Sequence, residues 1–332
     1  MTGQWNAENL LSTARQFQSA CVIVAAAELD LILALEEKAM SAGNLARKLA
    51  LDERAIAMLA DALTALGLLQ KEKGVYRPAS GIAELFDESA PGNVVNMLRH
   101  QANCLRSWAQ LAWVVKEGTR FDRLASVRGH AEDRRSFIEA MEVASHEAAP
   151  RVVASLGSLP FKKLLDIGGG PGTYTRAFLE ANPKMQAIYY DLPEVVPIAR
   201  RHFEAHDMLD RVQLVPGDFY EDDRFPEGAD MAWISAIAHQ NSRKQNRDLY
   251  RKVHEALAPG GSIFIRDMVM SDDHVSPTAG AMFAINMLVN TDAGGTYSFA
   301  EQSEDLAAAG FEDPIVRQGQ REMDFVIEAK KS

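Results

Sequence analysis

Apolar positions change their spacing about halfway along the chain. Up to about residue 157 they recur at helical intervals, in segments rich in Ala, Leu and Glu and poor in proline. Within this half, "SAGNLARKLALDERAIAMLADALTALGLLQKEKGVYRPA" (41–79) carries its own punctuation. Ser41 is placed to cap a helix whose Leu45 and Leu49 lie four apart. A second helix is predicted from Asp52, with Ile56, Leu59, Leu63 and Leu66 on one face. "KEKGVYRPA" then predicts a small hairpin around Gly74. Helix, helix, hairpin is the order of a winged helix.

From Phe161 onward, short apolar runs alternate with helical patterns. The runs "KKLLDIGGG", "AIYYDLPE", "RVQLVPGDF", "MAWISAIAH" and "SIFIRDMVM" read as strands. Between the last two, "RKQNRDLYRKVHEALAPGG" spaces Leu249, Val253 and Leu257 by four, with Gly260 as the expected helix stop. This alternation predicts an α/β protein with a doubly wound, Rossmann-like parallel sheet, preceded by a mostly helical amino-terminal domain. Such sheets take ligands at the carboxyl ends of their strands. The apolar run 231–238 stops at His239, which places a titratable base at such an end.

Composition narrows the function. The 332 residues carry a net charge of −11, which argues against a phosphate-binding surface. "MTGQWNAENL" lacks the basic start and apolar core of a secretory leader, and "ACVIVAAAELDLILAL" is broken by Glu28 and Asp30 before it reaches membrane length. Cys21 and Cys104 are too few and too far apart for a metal cluster or disulfide framework, so no metal and a reducing cytoplasm are expected. The apolarity of "ACVIVAAAELDLILAL" also points to a subunit interface, with burial inside a helical core as the alternative.

"LLDIGGGPGTYTRAF" sets Gly168, Gly170 and Gly172 between a strand and a helix. Glycines there permit a tight turn and let a ligand touch the backbone. The next strand ends at Asp191, where an acid can grip ribose hydroxyls, and a third ends in "GDF", where Asp218 and Phe219 can hold a purine. Each residue alone suits an ordinary turn; the three in order at successive strand ends point to a nucleoside cofactor.

The stretch "LLDIGGGPGTYTRAFLEANPKMQAIYYDLPEVVPIAR" resembles the S-adenosylmethionine site of the small-molecule O-methyltransferases of the caffeic acid, acetylserotonin and hydroxyneurosporene types. The resemblance covers nearly the whole chain. It implies a dimerisation domain over residues 1–100, a helical connector over 101–157 that contributes to the acceptor pocket, and a methyltransferase domain over 158–332. It further implies S-adenosylmethionine as cofactor, a homodimer, and a small aromatic acceptor, with no nucleic acid or membrane partner. Cofactor contacts carry over to Gly168, Gly170, Gly172, Asp191, Leu192, Asp218, Phe219 and Ser235, the last standing where a lysine is usual. "IAHQNS" aligns His239 with the family's general base, and "SIFIRD" supplies Asp267 where Glu is common. "GGTYSF" offers Tyr297 in place of a second Glu, and Gln240 and Asn241 replace the usual Asp and Trp. Acceptor-lining positions carry over to Phe137 and Met141 on one helix and to Met282, Phe283, Asn286 and Met287 on another. Core packing is the alternative for each. The remaining histidines are expected at the surface, with His146 a candidate for the pocket.

The chemistry stands without the resemblance. A phenol has a pKa near 10 and is little ionised at neutral pH, whereas an imidazole near 6.5 is largely neutral and accepts a proton. A carboxylate on the other ring nitrogen fixes the tautomer and stabilises the cation. The altered "HQNS" also fits a relative that keeps the cofactor as a scaffold for decarboxylation or hydroxylation. A winged-helix regulator is a third reading, but residues 1–90 hold 8 basic against 12 acidic residues, and the second helix of the pattern, "DERAIAMLADALTAL", has Arg54 as its one base.

Overall fold

The computed structural model describes residues 5–319 and 322–331. The chain divides into two compact units. The first runs to Arg106 and takes in Arg123–Val143; the second holds Ser107–Asp122 and the chain from Ala144 onward.

Caps and turns build the first unit as the sequence suggests. It opens with α1 (Ala7–Arg15), α2 (Phe17–Glu28) and α3 (Leu31–Ala34). The short β1 (Met40–Ser41) leads into α4 (Ala42–Leu49) and α5 (Glu53–Ala65). Ser41 Oγ accepts the Asn44 N–H at 3.4 Å, and Asp52 accepts that of Ala55 at 2.8 Å. β2 (Leu69–Glu72) and β3 (Val75–Pro78) pair antiparallel around Lys73 and Gly74, both at positive φ, as a two-residue hairpin of this twist requires. β1 adds to β3 as an outer strand. α6 (Ile82–Phe86), α7 (Val95–Trp108) and, after α8 (Leu111–Glu117), α9 (His130–Ser145) follow.

The core of the first unit gathers Ala26, Ala27, Leu31, Ile32, Leu35, Leu45, Ile56, Leu63 and Tyr76. Much of the apolar segment singled out as an interface is therefore buried inside its own unit, and intramolecular burial accounts for its composition. The unpartnered apolar surface lies earlier. α1 buries none of its residues, and Leu10, Leu11 and Phe17 are more than half exposed.

The second unit is a seven-stranded sheet flanked by helices. After α10 (Ala148–Ser155) come β4 (Lys163–Ile167), α11 (Thr173–Ala181), β5 (Gln186–Asp191), α12 (Val196–Ala205), β6 (Val212–Pro216), β7 (Ala229–Ser235), α13 (Arg243–Ala256) and β8 (Leu257–Asp267). Then follow β9 (Val269–Met270), α14 (Thr278–Asn290), β10 (Tyr297–Ser298), α15 (Phe299–Ala308), β11 (Phe311–Gln318) and β12 (Phe325–Lys331). The strand order is β11-β12-β8-β7-β4-β5-β6, with β12 antiparallel to both its neighbours and the other pairs parallel. From β4 the chain proceeds one way to β5 and β6, then returns to β7 and β8 on the other side. The switch point between β4 and β7 opens a crevice at the carboxyl ends of those strands.

Two expectations change. The run "MAWISAIA" is not strand to its end: β7 stops at Ser235, Ala236 turns at φ 57°, and His239 sits in a single helical turn, Ala238–Gln240. Nor is Gly260 a helix stop. α13 ends at Ala256, the chain enters β8 directly, and Gly260 lies inside that strand at φ 74°.

Candidate active site

The loop after β4 is shaped by its glycines. Gly168 lies at φ 66°, and a Cβ there would fall 2.7 Å from Ile237 Cδ1, with Phe219 Cε1 at 3.8 Å. The absent side chain thus lets the glycine loop, the turn leading to His239 and the loop after β6 meet in one place. Gly172, at φ 81°, has Phe203 where a Cβ would be. Gly170, at φ 57°, faces open space.

Acidic side chains surround this loop from below and beside it. Asp191 Oδ2 accepts the Gly170 N–H at 2.7 Å and Oδ1 accepts that of Leu192 at 2.7 Å. The Tyr189 hydroxyl bonds to the Gly170 carbonyl and reaches Asp191 Oδ2 at 3.3 Å. Burial raises the Asp191 carboxyl above its ordinary range, opposed by those backbone N–H groups. Asp166 is 1% exposed, with one oxygen bonded to the Thr175 hydroxyl and Oδ1 left without a partner. Burial, aided by the charge of Asp191, pushes it up to about 7.

After β6, Asp218 Oδ1 accepts the Tyr220 N–H at 2.8 Å, and the Phe219 and Tyr220 rings lie 4.5 Å apart. Lys252 Nζ ties this loop by donating to the carbonyls of Phe219 and Asp222 at 3.0 and 2.7 Å. Ser235, at the end of β7, accepts a hydrogen bond from Arg266 Nη1 at 3.2 Å, and the guanidinium of Arg266 is otherwise held by Asp324. Open space beside Gly170, a carboxylate at the strand end and an aromatic face on the third loop suit a nucleoside bearing a positive charge. S-adenosylmethionine is such a molecule.

Beside these loops, His239 and Asp267 form a pair. Nδ1 of His239 lies 2.7 Å from Asp267 Oδ1, with side-chain exposures of 11% and 2%. Asp267 is itself fixed, since the His239 N–H donates to Oδ2 at 3.1 Å and the Met268 N–H to Oδ1 at 2.7 Å. No described residue hydrogen-bonds Nε2. The Phe283 ring of α14 packs edge-on against the imidazole at 4.8 Å. Tyr297 donates its hydroxyl to the Asn241 carbonyl and makes no hydrogen bond to His239. Burial and the acids around it push its phenol up to about 12, so it carries no charge at neutral pH.

The acceptor-lining candidates fall in both units. Phe137 and Met141 belong to the first, where Phe137 is half exposed and packs on His100 at 5.1 Å. In the second unit Met282 is exposed, Met287 is buried, and Asn286 accepts the Trp108 indole N–H at 2.8 Å. His100 is partly buried rather than at the surface as expected, and burial, with the charge of nearby Arg123, holds its imidazole down to about 4. His146 is exposed. Among the described residues no group of three or more His, Cys, Asp or Glu could hold a metal ion. The sequence reading missed Tyr220, Asn246 and Arg266, which carry no motif and matter only through the partners that folding supplies.

A doubly wound sheet with a glycine loop after its first strand, an acid at the end of its second and an imidazole–carboxylate pair beyond its fourth and fifth has the layout of a nucleoside-binding enzyme. The chain belongs to the O-methyltransferase family: residues 108–312 match its O-methyltransferase domain, and residues 11–86 match the O-methyltransferase dimerisation domain. It is an S-adenosylmethionine-dependent O-methyltransferase. It is 29% identical to the tetracenomycin polyketide synthesis 8-O-methyl transferase of Streptomyces glaucescens, over 92% of this chain and 91% of that one. It is also 29% identical to the 3-hydroxy-5-methyl-1-naphthoate 3-O-methyltransferase of Streptomyces sahachiroi, over 87% and 84%. In fold it is similar to human N-acetylserotonin methyltransferase in complex with S-adenosylmethionine, with a TM-score of 0.78, 24% identity and coverage of 100% and 99%.

Proposed function

We propose that His239 is the general base for methylation of a phenolic hydroxyl on a fused or substituted aromatic ring, with Asp267 orienting it. The observation that carries this reading is the 2.7 Å contact between His239 Nδ1 and Asp267 Oδ1, with Nε2 unbonded. The two relatives' names, a polyketide and a hydroxynaphthoate, favour the aromatic acceptor.

When bound, S-adenosylmethionine supplies an electrophilic methyl group on a sulfonium. The work left to the chain is positioning and proton removal. Asp267 accepts a hydrogen bond from Nδ1–H, which keeps that proton on Nδ1 and leaves the Nε2 lone pair free to take a proton from the acceptor hydroxyl. As the hydroxyl oxygen forms its new bond, Nε2 gains the proton and Asp267 stabilises the imidazolium. Phe283 keeps an apolar edge against the ring. Gly168, Gly170, Gly172, Asp191, Leu192, Asp218, Phe219 and Ser235 serve as cofactor contacts in this reading. Asp191 takes the ribose hydroxyls, and Phe219 takes the purine face. Met282, Phe283, Asn286 and Met287 are the acceptor-side candidates on α14. Tyr297 acts by holding the Asn241 carbonyl rather than as a second acid. The enzyme works as a homodimer through its amino-terminal domain. The free thiols of Cys21 and Cys104 suit the reducing cytoplasm.

The test is release of S-adenosylhomocysteine with a panel of hydroxynaphthoates and other phenols. His239→Ala should keep cofactor affinity and lose about 10²-fold or more in turnover, the range of a positioned base. Asp267→Asn should lose less. Parent-level turnover in His239→Ala would remove the base assignment.

A further inference from the structure

The turn that carries His239 is tied to the loop after β6 by a chain of side-chain hydrogen bonds. The Tyr220 hydroxyl donates to Asn241 Oδ1 at 2.5 Å. Asn241 Nδ2 donates to Asn246 Oδ1 at 3.0 Å, and Asn246 Nδ2 donates to the Ala238 carbonyl at 2.9 Å. The direction is set from its far end. A carbonyl only accepts, so Asn246 must present its amide nitrogen there; its oxygen then requires the Asn241 nitrogen, and Asn241 Oδ1 is left to accept from the phenol. Ala238 and Asn241 flank His239–Gln240, so the chain grips the turn on both sides of the base. Asn241 and Asn246 are fully buried, where a broken hydrogen bond leaves a desolvated polar group.

At its near end the chain starts on a half-exposed ring. Tyr220 is 48% exposed, while Asn241 is 0% exposed. The Tyr220 ring leans on Phe219 at 4.5 Å, and its N–H is held by Asp218. Burial and the charges of Asp218 and Asp292 push its phenol up to about 12, so it remains a donor throughout the neutral range.

We propose that Tyr220 is a positioning residue that transmits occupancy of the Phe219 face to His239, through Asn241, Asn246 and the Ala238 carbonyl, so that the base is held in its working orientation once the cofactor's purine is seated. This rests on the cofactor and base assignments above and adds a coupling between them. A ligand packed on Phe219 restricts the neighbouring Tyr220 ring, and the hydroxyl at the ring's end passes that restriction into a buried network with one satisfied arrangement. Such coupling requires a physical element that both sites bias, and the proposal gives that role to the 238–241 turn.

The experiment uses the full chain, S-adenosylhomocysteine as the probe, and Tyr220→Phe, which keeps the ring and removes only the hydroxyl of a half-exposed residue. Calorimetry gives the affinity, and ¹⁵N spectra of the histidine rings, with His239 identified by its loss in His239→Gln, report the base. In the parent, the probe should shift and sharpen the His239 ring signals. In Tyr220→Phe, affinity should stay within about twofold while the response of the His239 ring signals is lost. The proposal is overturned if His239 responds equally in both proteins, if it does not respond in the parent, or if Tyr220→Phe weakens the probe by more than about tenfold, which would make Tyr220 a direct cofactor contact. A parent that does not bind the probe would instead refute the cofactor assignment, and an active His239→Ala the base assignment.

Discussion

At the scale of single residues, the site shows how one side chain serves two ends. Asp191 ends β5 where a ribose-binding acid is expected, yet it also accepts the Gly170 and Leu192 N–H groups at 2.7 Å each. It therefore shapes the glycine loop before any ligand arrives. Asp191→Ala removes both the proposed ribose partner and the loop's anchor. Hydrogen bonds to a charged group contribute about 1.5–3 kcal/mol, so calorimetry should show S-adenosylmethionine binding weakened by roughly tenfold to a hundredfold. Unchanged affinity would remove the ribose assignment. Asp191→Asn keeps one acceptor oxygen and should fall between Asp191→Ala and the parent. The Asp191 to Gly170 bond is invisible in the sequence, where the partners stand 21 residues apart.

At the scale of elements, helices in the first unit are joined by ion pairs as well as by apolar packing. Arg99 of α7 is 3% exposed and reaches the Asp30 carboxylate at 2.7 Å, the Ala27 carbonyl at 3.2 Å and Glu88. Arg135 of α9 takes Glu88 Oε2 at 3.0 Å. Burial alone would raise the Glu88 carboxyl, but the hydrogen bonds from Arg135 and Arg99 overcome it and hold the group at about 2, against an ordinary value of 4.5. The folded pKa is depressed, so the contribution to stability is complete above about 4.5 and is lost as the pH falls toward 2. In acid unfolding followed by circular dichroism, Glu88→Gln should be less stable than the parent at pH 7. The gap should narrow through that window. A gap independent of pH would mean that the pairs contribute nothing through charge. Solvent reaches Glu88, so the effect is smaller than a buried pair would give.

At the scale of the whole molecule, the match to a dimerisation domain over residues 11–86 coincides with an apolar surface that the chain leaves open. Leu10 and Leu11 of α1 and Phe17 of α2 are 59%, 56% and 56% exposed, and α1 contributes nothing to its own core. A second copy is the occupant these helices suit. Light scattering at micromolar concentration should give twice the 36.5 kDa of one chain. Placing aspartate at both leucines (Leu10→Asp with Leu11→Asp) should shift the mass toward the single-chain value without loss of helical signal, since neither side chain is buried. A parent that scatters as a monomer would contradict the dimer.

The sequence by itself determined the local grammar of this protein. Ser41 and Asp52 are N-caps, Lys73–Gly74 is a hairpin turn, and the glycine loop, Asp191 and the "GDF" segment stand in order after three successive strands. These signals act over a few residues, through backbone dihedrals, caps and periodicity, so a linear reading reaches them. What lies between strands was decided by the sheet. Ser235 pairs with Arg266, and that register sets the turn after β7 beside Asp267, so His239 finds its carboxylate 28 residues away at 2.7 Å. The same register gave β7 an earlier end than its apolar run suggested. Tyr297, in the separate β9–β10 pair, is bonded to the Asn241 carbonyl, and the Asn241 side chain is bonded to Tyr220. A hydrogen bond depends on position to within a fraction of an ångström, and only the assembled sheet, with the helices packed on it, fixes positions that finely.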